Sequence, residues 1–239
     1  MFENYPKTRT DLPEAYRALY VEQYKENREG VSTASGLAQK MEAWLHKKVA
    51  LDVQSDFEKR TLEIGAGTLN QLRFEHTKHY DAIEPFSELY SNSSALSRIN
   101  KMYNDIDDVD LSNKYDRITS VATFEHITNL PTVVARTCLL LNPGGTLRTS
   151  IPNEGAFLWK LGWQMTTGLE FRIKHGLDYG VLMKYEHVNT AFEIEQVLKY
   201  FYGKNELSCF GLGKHFSLYR FYESSEPNLE LANDYLNRV

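Results

Sequence analysis

The sequence predicts an α/β fold, a doubly wound and mostly parallel sheet that closes in an antiparallel hairpin. Three observations predict it. From Arg60 onward, short apolar runs alternate with helical stretches, the rhythm of right-handed crossovers between parallel strands. The first of these runs, Arg60–Ile64, passes directly into Gly65-Ala66-Gly67, a glycine turn of the kind that follows a buried strand. The last two runs, Glu206–Phe210 and Phe216–Tyr222, are separated only by a segment containing Gly211-Leu212-Gly213-Lys214, too short for a crossover.

The elements follow in order. Asp11-Leu12-Pro13-Glu14 combines a capping residue, an early proline and a Glu three positions on, which starts a helix. Tyr16, Leu19, Tyr20, Gln23, Tyr24 and Asn27 continue it at helical spacing, either as a core-facing stripe or, for the three tyrosines, as a pocket wall. After a break from Gly30 to Gly36, the residues Leu37, Met41, Trp44, Leu45 and Val49 form a second stripe. Strand runs then fall at Arg60–Ile64, Tyr80–Glu84, Lys101–Asn104, Arg117–Ala122 and Thr146–Ile151. A helix is expected after the glycine turn, another over Phe86–Ile99, and a third from Leu130, with Pro131 tolerated in its first turn and Asn142-Pro143-Gly144-Gly145 as its stop. The stretch 154–187 breaks the rhythm with five glycines and two tryptophans and reads as an insertion. Thr190-x-x-Glu193 opens a further helix as a capping box. With the two closing runs this makes seven strands.

Composition narrows the function. The 239 residues carry 27 Lys+Arg against 32 Asp+Glu, a net charge of −5, which argues against a nucleic-acid partner. The longest run without Asp, Glu, Lys or Arg is Thr137–Leu147, far short of a membrane span, and no membrane partner is expected. Cys138 and Cys209 lie in apolar segments and read as reduced core residues of a cytoplasmic protein, an expectation to which the absence of a signal-like start adds. His76-x-x-His79 lacks partnered acids or cysteines, reads as solvent-facing, and no metal site is expected. Nothing in the pattern fixes the oligomeric state, and a homo-oligomer is compatible with it.

The chemistry is concentrated at the carboxyl ends of the strands. The Gly65–Gly67 turn allows a ligand close to the backbone, and Glu84, 21 residues after Glu63 (84 − 63), ends the second strand where an acid accepts both hydrogen bonds of a ribose diol. A dinucleotide site wants Gly-x-Gly-x-x-Gly, and Asn70 occupies its third glycine. Glu63 would repel a pyrophosphate but suits a cationic sulfonium amino acid. The choice therefore falls on S-adenosylmethionine over NAD.

On these residues the sequence resembles the class I S-adenosylmethionine-dependent methyltransferases over about Arg60 to Tyr222. The matching features are Glu63-x-Gly65-x-Gly67, Glu84, Asn104-Asp105-Ile106, Tyr115-Asp116-Arg117-Ile118 leading to Phe124-Glu125-His126-Ile127, Leu141-Asn142-Pro143-Gly144-Gly145 and the final hairpin. Leu69 stands where that family has its third glycine. The resemblance implies a Rossmann-like seven-stranded sheet at 56–153 and 188–225, with residues 1–55 as an N-terminal helical cap, 154–187 as a lid and 226–239 as a tail. It also implies a cofactor site in which Gly65, Ala66 and Gly67 cradle the methionine part and Glu63 lies near its amino group. Glu84 and Pro85 then face the ribose, Asp105 and Ile106 the adenine, and Ala122 and Thr123 the methionyl end.

The implied reaction is in-line displacement at the methyl carbon, for which the protein mainly supplies alignment and, where the acceptor must lose a proton, a base. His126 is one candidate base and the pair Glu186-His187 another. Trp159, Trp163, Tyr179 and Tyr185 are candidate acceptor contacts. The acceptor expected is a small molecule, with a sugar or nucleotide-linked sugar methylated on oxygen or nitrogen as the leading idea. A non-catalytic module that binds the cofactor, and an NAD-dependent oxidoreductase, are the alternatives.

Overall fold

The computed structural model describes residues 2–17, 19–20, 36–54 and 56–239. Residues 14–17 and 19–20 are helical, as the start at Glu14 predicts, while Gln23, Tyr24 and Asn27 lie outside the described residues. Helix α1 (Gly36–Val49) precedes β1 (Arg60–Ile64), β2 (His79–Ile83), β3 (Lys101–Tyr103) and β4 (Tyr115–Val121). Then come α2 (Leu130–Leu140), β5 (Leu141–Pro152), α3 (Phe157–Trp163), α4 (Leu169–His175), α5 (Tyr179–Glu186) and α6 (Ala191–Phe201). The hairpin β6 (Tyr202–Leu212) and β7 (Phe216–Pro227) and helix α7 (Leu229–Leu236) complete the chain.

The seven strands lie in the order β3-β2-β1-β4-β5-β7-β6. All neighbours from β3 to β5 are parallel, and β7 runs antiparallel to both β5 and β6. The chain winds outward from β1 in one direction and from β4 in the other, so the crevice beside their carboxyl ends is the switch point where such sheets bind ligands. One face is covered by α2, α6 and α7, whose Val134, Cys138, Ile194, Leu198, Phe201 and Ala232 join Leu62, Ile118 and Leu147 of the strands in the main core. The other face carries α1 across β4, β5 and β7.

That second face is held by buried charge. Arg117 of β4 is fully buried, pairs with Glu75 at 2.7 Å and Asp52 at 3.2 Å, and donates to the Val49 carbonyl at 2.8 Å. Arg148 of β5 reaches the same Asp52 at 3.1 Å and the same carbonyl at 2.8 Å. Two arginines on neighbouring strands thus clamp the end of α1 and satisfy its last carbonyls, the groups a helix terminus leaves open.

Several expected elements take another form. The helix expected over Phe86–Ile99 is two 3-10 turns, Ser87–Leu89 and Ser94–Arg98, because the Ser91-Asn92-Ser93-Ser94 run offers its side chains to the backbone; Ser93 accepts from the Ala95 amide at 3.3 Å. No α-helix follows the glycine turn either. Leu69 turns left-handed (φ 64°) and only the 3-10 turn Asn70–Arg73 forms. Asn142-Pro143-Gly144-Gly145 ends α2 as expected, yet belongs to β5 as a bulge: Tyr115 pairs with Leu141 and Arg117 already with Thr146. The closing strands are longer than expected. Residues 226–239, expected as a polar tail, hold the end of β7 and helix α7, capped by Asn228 and packed on α2.

The stretch 154–187 is helical, with a π turn at Gln164–Gly168 between α3 and α4. Its glycines have a packing reason. A Cβ on Gly168 would lie 3.4 Å from the Trp163 ring and one on Gly180 3.3 Å from it, so the indole sits between two bare backbones. Among the described residues no helix is long and apolar enough to cross a membrane.

Candidate active site

A cavity of about 1000 Å³ opens at the switch point. Its floor is the strand ends: Glu63 and Ile64 closing β1 with Gly65, Ala66 and Gly67 after it, Glu84 and Pro85 after β2, Asp105 and Ile106 after β3, and Ala122 and Thr123 after β4. All ten expected cofactor contacts therefore face one space. His126, Tyr185 and Glu186 line the same cavity; His187, Trp159, Trp163 and Tyr179 do not.

The glycine turn is fixed by its backbone. The Gly65 and Ala66 amides both donate to the Ile83 carbonyl, at 2.9 and 3.1 Å. Gly65 has φ 72°, and a Cβ there would fall 2.3 Å from Cγ2 of Thr123, so only glycine lets β1 and β4 close up at this point. Glu84, only 4% exposed, accepts from the Gly67 amide at 2.7 Å and from the Phe86 amide at 3.1 Å. Both bonds hold the carboxylate at the cavity wall with lone pairs left for a diol. Asp105 caps the turn Ile106–Asp108, accepting from the Asp107 amide at 3.0 Å, and is exposed beside buried Ile106.

Glu63 is 2% exposed and accepts the Tyr80 hydroxyl at 2.9 Å. Burial is the chief cause that pushes its pKa up to about 8, against the hydrogen bond from Tyr80, which lowers it. A neutral carboxyl poised to ionise suits an incoming ammonium. The residues present thus fit an aminoacyl nucleoside: a diol acceptor, an exposed acid by an apolar wall, a bare-backbone turn and a buried acid for a cation.

At the other end of the cavity, Nδ1 of His126 lies 3.0 Å from Oε2 of Glu186. Burial alone would lower the His126 pKa, but the hydrogen bond to Glu186 and the charges of Glu125 and Glu186 outweigh it and hold the ring above its ordinary value. For Glu186 burial pulls upward, and hydrogen bonds from His126 and Tyr20 with the charges of His126 and Arg9 bring the carboxyl down to about 2. Glu186 and His187, expected as one base pair, face different partners. Glu186 holds His126, whereas Nδ1 of His187 lies 2.7 Å from Glu154. The two imidazoles meet edge-on with centroids 4.9 Å apart. Trp159 also donates to Glu154, at 2.7 Å, and packs against Tyr219, while Trp163 packs against Tyr179.

Arg9, Tyr20, Glu42, Leu45 and His46 also line the cavity. Arg9 arrives on an extended arm: the Lys7 amide donates to Thr128, and Arg9 donates to the His126 carbonyl at 3.0 Å. His46 stacks on Phe74 and contacts Gln71 at 2.7 Å, and burial lowers its pKa. Gln71 in turn donates to Glu75, the partner of Arg117, at 2.6 Å. Tyr20 was singled out by spacing. No motif marks Arg9, Glu42 or His46.

A seven-stranded sheet closed by an antiparallel hairpin, with a crevice at its switch point where Glu84 and Glu63 could hold a diol and a cation, is a fold of the methyltransferase kind. Comparison with protein families bears this out: the methyltransferase-domain family matches residues 25–201, and the chain belongs to it. S-adenosylmethionine is the methyl donor of this class. Comparison with curated protein sequences gives no match. Among solved structures, the fold is similar to the plantazolicin methyltransferase BpumL in complex with a monoazolic desmethylPZN analogue and SAH. That match has a TM-score of 0.62 and 14% identity, over 89% of this chain and 93% of that one. It is also similar to a SAM-dependent methyltransferase from Thermotoga maritima (0.57, 14%, over 90% and 100%). A third match is an S-adenosylmethionine-dependent methyltransferase from Clostridium acetobutylicum (0.54, 12%, over 88% and 100%).

Proposed function

We propose that this chain is an S-adenosylmethionine-dependent methyltransferase that acts on a small molecule bearing a hydroxyl or amine. The observation that carries the proposal is the continuity of one cavity from the Gly65–Glu84–Asp105 wall to the His126–Glu186 pair. Bound there, S-adenosylmethionine supplies a methyl group already activated on a sulfonium. The chain's work is alignment and proton handling. Glu84 orients the ribose, Asp105 and Ile106 the base, and Glu63 the amino group. Ala122 and Thr123 flank the position from which the methyl leaves. Glu186 fixes the His126 ring, and His126 is the polar group placed to receive the acceptor's proton. The acceptor enters past Tyr185, Tyr20 and Arg9. Residues 154–187 act as the lid, and Trp159, Trp163 and Tyr179 shape it from within.

The lining argues for the charge of the acceptor. Among the described residues, Glu42, Glu84, Asp105 and Glu186 line the cavity with one arginine, Arg9, while Glu63 is held largely neutral by its burial. A phosphorylated acceptor would meet net negative charge there, so a neutral polyol or sugar, or an amine, fits better than a nucleotide-linked sugar. The test is transfer of a radiolabelled methyl group to a panel of neutral sugars, phenols, amines and nucleotide sugars, with binding of the cofactor measured in parallel. Transfer to a neutral or amine acceptor is expected. Tight cofactor binding with no transfer to any small molecule, or transfer only to phosphorylated acceptors, would overturn this reading.

A further inference from the structure

Behind the acceptor end of the cavity, three side chains converge with an organisation that proton transfer alone does not need. Glu125, His126 and His187 bring one ligating atom each within 4.8 Å of one another. Oε1 of Glu125 is 3.8 Å from Nε2 of His126. Each imidazole is tied through its other nitrogen to a separate carboxylate: Nδ1 of His126 to Glu186 at 3.0 Å, Nδ1 of His187 to Glu154 at 2.7 Å. Nε2 of both rings is thereby left as the atom to ligate. A histidine that binds a metal commonly has its second nitrogen held by a carboxylate, which fixes the ring and strengthens the ligand. Here that outer layer is present twice.

The third ligand supplies an independent observation. Glu125 is 1% exposed, and its Oε2 is buried without a hydrogen-bond partner among the described residues. A buried unpaired carboxylate oxygen is costly, and the usual remedies are a donor or a cation. The surrounding charge agrees. With neutral rings, Glu125, Glu154 and Glu186 stand as three carboxylates around the site, and Arg9 beside them donates to the His126 carbonyl.

We propose that Glu125, His126 and His187 form a binding site for a divalent transition-metal ion, with Glu154 and Glu186 as its outer carboxylates. Two imidazoles and one carboxylate are the donor set of catalytic zinc centres, which keep a position open, and imidazole prefers Zn2+ and its transition-metal neighbours to Mg2+ or Ca2+. Ligands on a tetrahedral ion with bonds of about 2.1 Å lie about 3.4 Å apart. The present separations close to that value by side-chain shifts of about an ångström. Of the three ligands, His126 lines the cavity, so the site adjoins it there. The proposal rests on the methyltransferase reading for its purpose: with the ion in place His126 is a ligand and no longer the base. The acceptor's oxygen or nitrogen binds the ion and is acidified by it, and its proton passes to solvent water. The methyl–sulfur bond breaks as the new methyl bond forms, leaving S-adenosylhomocysteine.

The experiment uses the full chain stripped with a chelator and titrated with Zn2+ and with Co2+, read by calorimetry and by the visible absorption of Co2+. S-adenosylmethionine binding is measured on the same samples. One ion per chain is expected. Uptake should be abolished in Glu125→Gln and His187→Ala and weakened about 10–100-fold in Glu154→Gln, which removes only the outer carboxylate charge. His76→Ala should leave uptake unchanged. Absence of uptake by the native chain, or uptake as tight as the native chain's in Glu125→Gln, His187→Ala or Glu154→Gln, overturns the site. Any variant whose circular dichroism departs from the native chain is read through Glu154→Gln instead. Cofactor binding that persists while uptake fails sinks the metal alone; loss of cofactor binding by the native chain sinks the underlying function.

Discussion

Replacing Gly65 with alanine tests the geometry on which the cofactor site depends. The added Cβ would lie 2.3 Å from Cγ2, 2.5 Å from Oγ1 and 2.9 Å from Cβ of Thr123, all inside contact distance. The backbone at φ 72° adds a cost of about 1–2 kcal/mol for any residue with a Cβ. Overpacking against a neighbour held at a strand end adds about 1–3 kcal/mol. The sum, roughly 2–5 kcal/mol, corresponds to a fall in melting temperature of about 4–20 °C for a chain of this size. Calorimetry should show weaker S-adenosylmethionine binding as well, since Ala66 and Gly67 move with Gly65. Thr123→Gly removes all three clashing atoms, so the double variant should recover the overpacking part and keep the dihedral part. A Gly65→Ala protein that melts and binds like the native chain would refute the reasoning, and so would a double variant that recovers nothing.

Glu84→Ala should weaken S-adenosylmethionine and its demethylated product alike, about 10-fold or more in a calorimetric titration, because both share the ribose and each lost charged hydrogen bond is worth about 1.5–3 kcal/mol. Glu63, whose folded pKa near 8 exceeds its unfolded value, binds a proton in the native state that the unfolded chain has released; its contribution is present at low pH and is lost as pH rises towards 8. Glu63→Gln should therefore flatten the decline in melting temperature across that window, and cofactor binding at pH 7 should release up to one proton in the native chain and none in the variant, read from calorimetry in buffers of different ionisation enthalpy. Arg117→Ala leaves Glu75 and Asp52 facing a buried void and should cost about 3–5 kcal/mol in urea denaturation. Ala122 (φ 49°, exposed) and Leu69 (φ 64°, 1% exposed) share a left-handed backbone, yet glycine should be neutral or mildly stabilising at Ala122 and destabilising by about 2 kcal/mol or more at Leu69, where a buried side chain is lost.

The strands were legible because each is a short apolar run bounded by turn residues, and the parallel order followed from the stretches between them. The glycine turn and Glu84 were legible because strand ends in such a sheet share one edge, so residues far apart in sequence fall together without further information. The helices that follow β1 and β2 were misread because spacing does not reveal local competition. Ser93 and the left-handed Leu69 divert the backbone into 3-10 turns, and Arg98 then donates to the Glu75 carbonyl at 2.6 Å to hold them. Pairings across the fold were out of reach. Glu154 and His187 are 33 positions apart, Arg9 and His126 are 117 apart, and neither pair carries a periodicity or a motif. Glu186-His187 looked like one unit because the residues are adjacent, but adjacent positions at the end of α5 point to different partners.

The two halves of the cavity have different origins. The cofactor half is made almost wholly by strand ends, where the sheet fixes the backbone and each side chain is placed by register. The acceptor half is made by the arm that carries Arg9, the helical residue Tyr20, the α1 residues Glu42, Leu45 and His46, and the end of α5. None of these belongs to the sheet, and α1 is attached to it through a relay from His46 to Gln71, Glu75 and the buried Arg117. Changes in the arm, α1 or α5 can therefore alter which acceptor is admitted while the donor site stays intact. Changes at the far members of the relay, Glu75 and Arg117, act differently: these residues do not line the cavity, and they shift the wall of the acceptor half by loosening its anchor. Glu75→Gln, which weakens the relay at a residue outside the cavity lining, should raise the acceptor KM while leaving the cofactor dissociation constant unchanged, whereas a relay that served stability alone would leave both constants as they are.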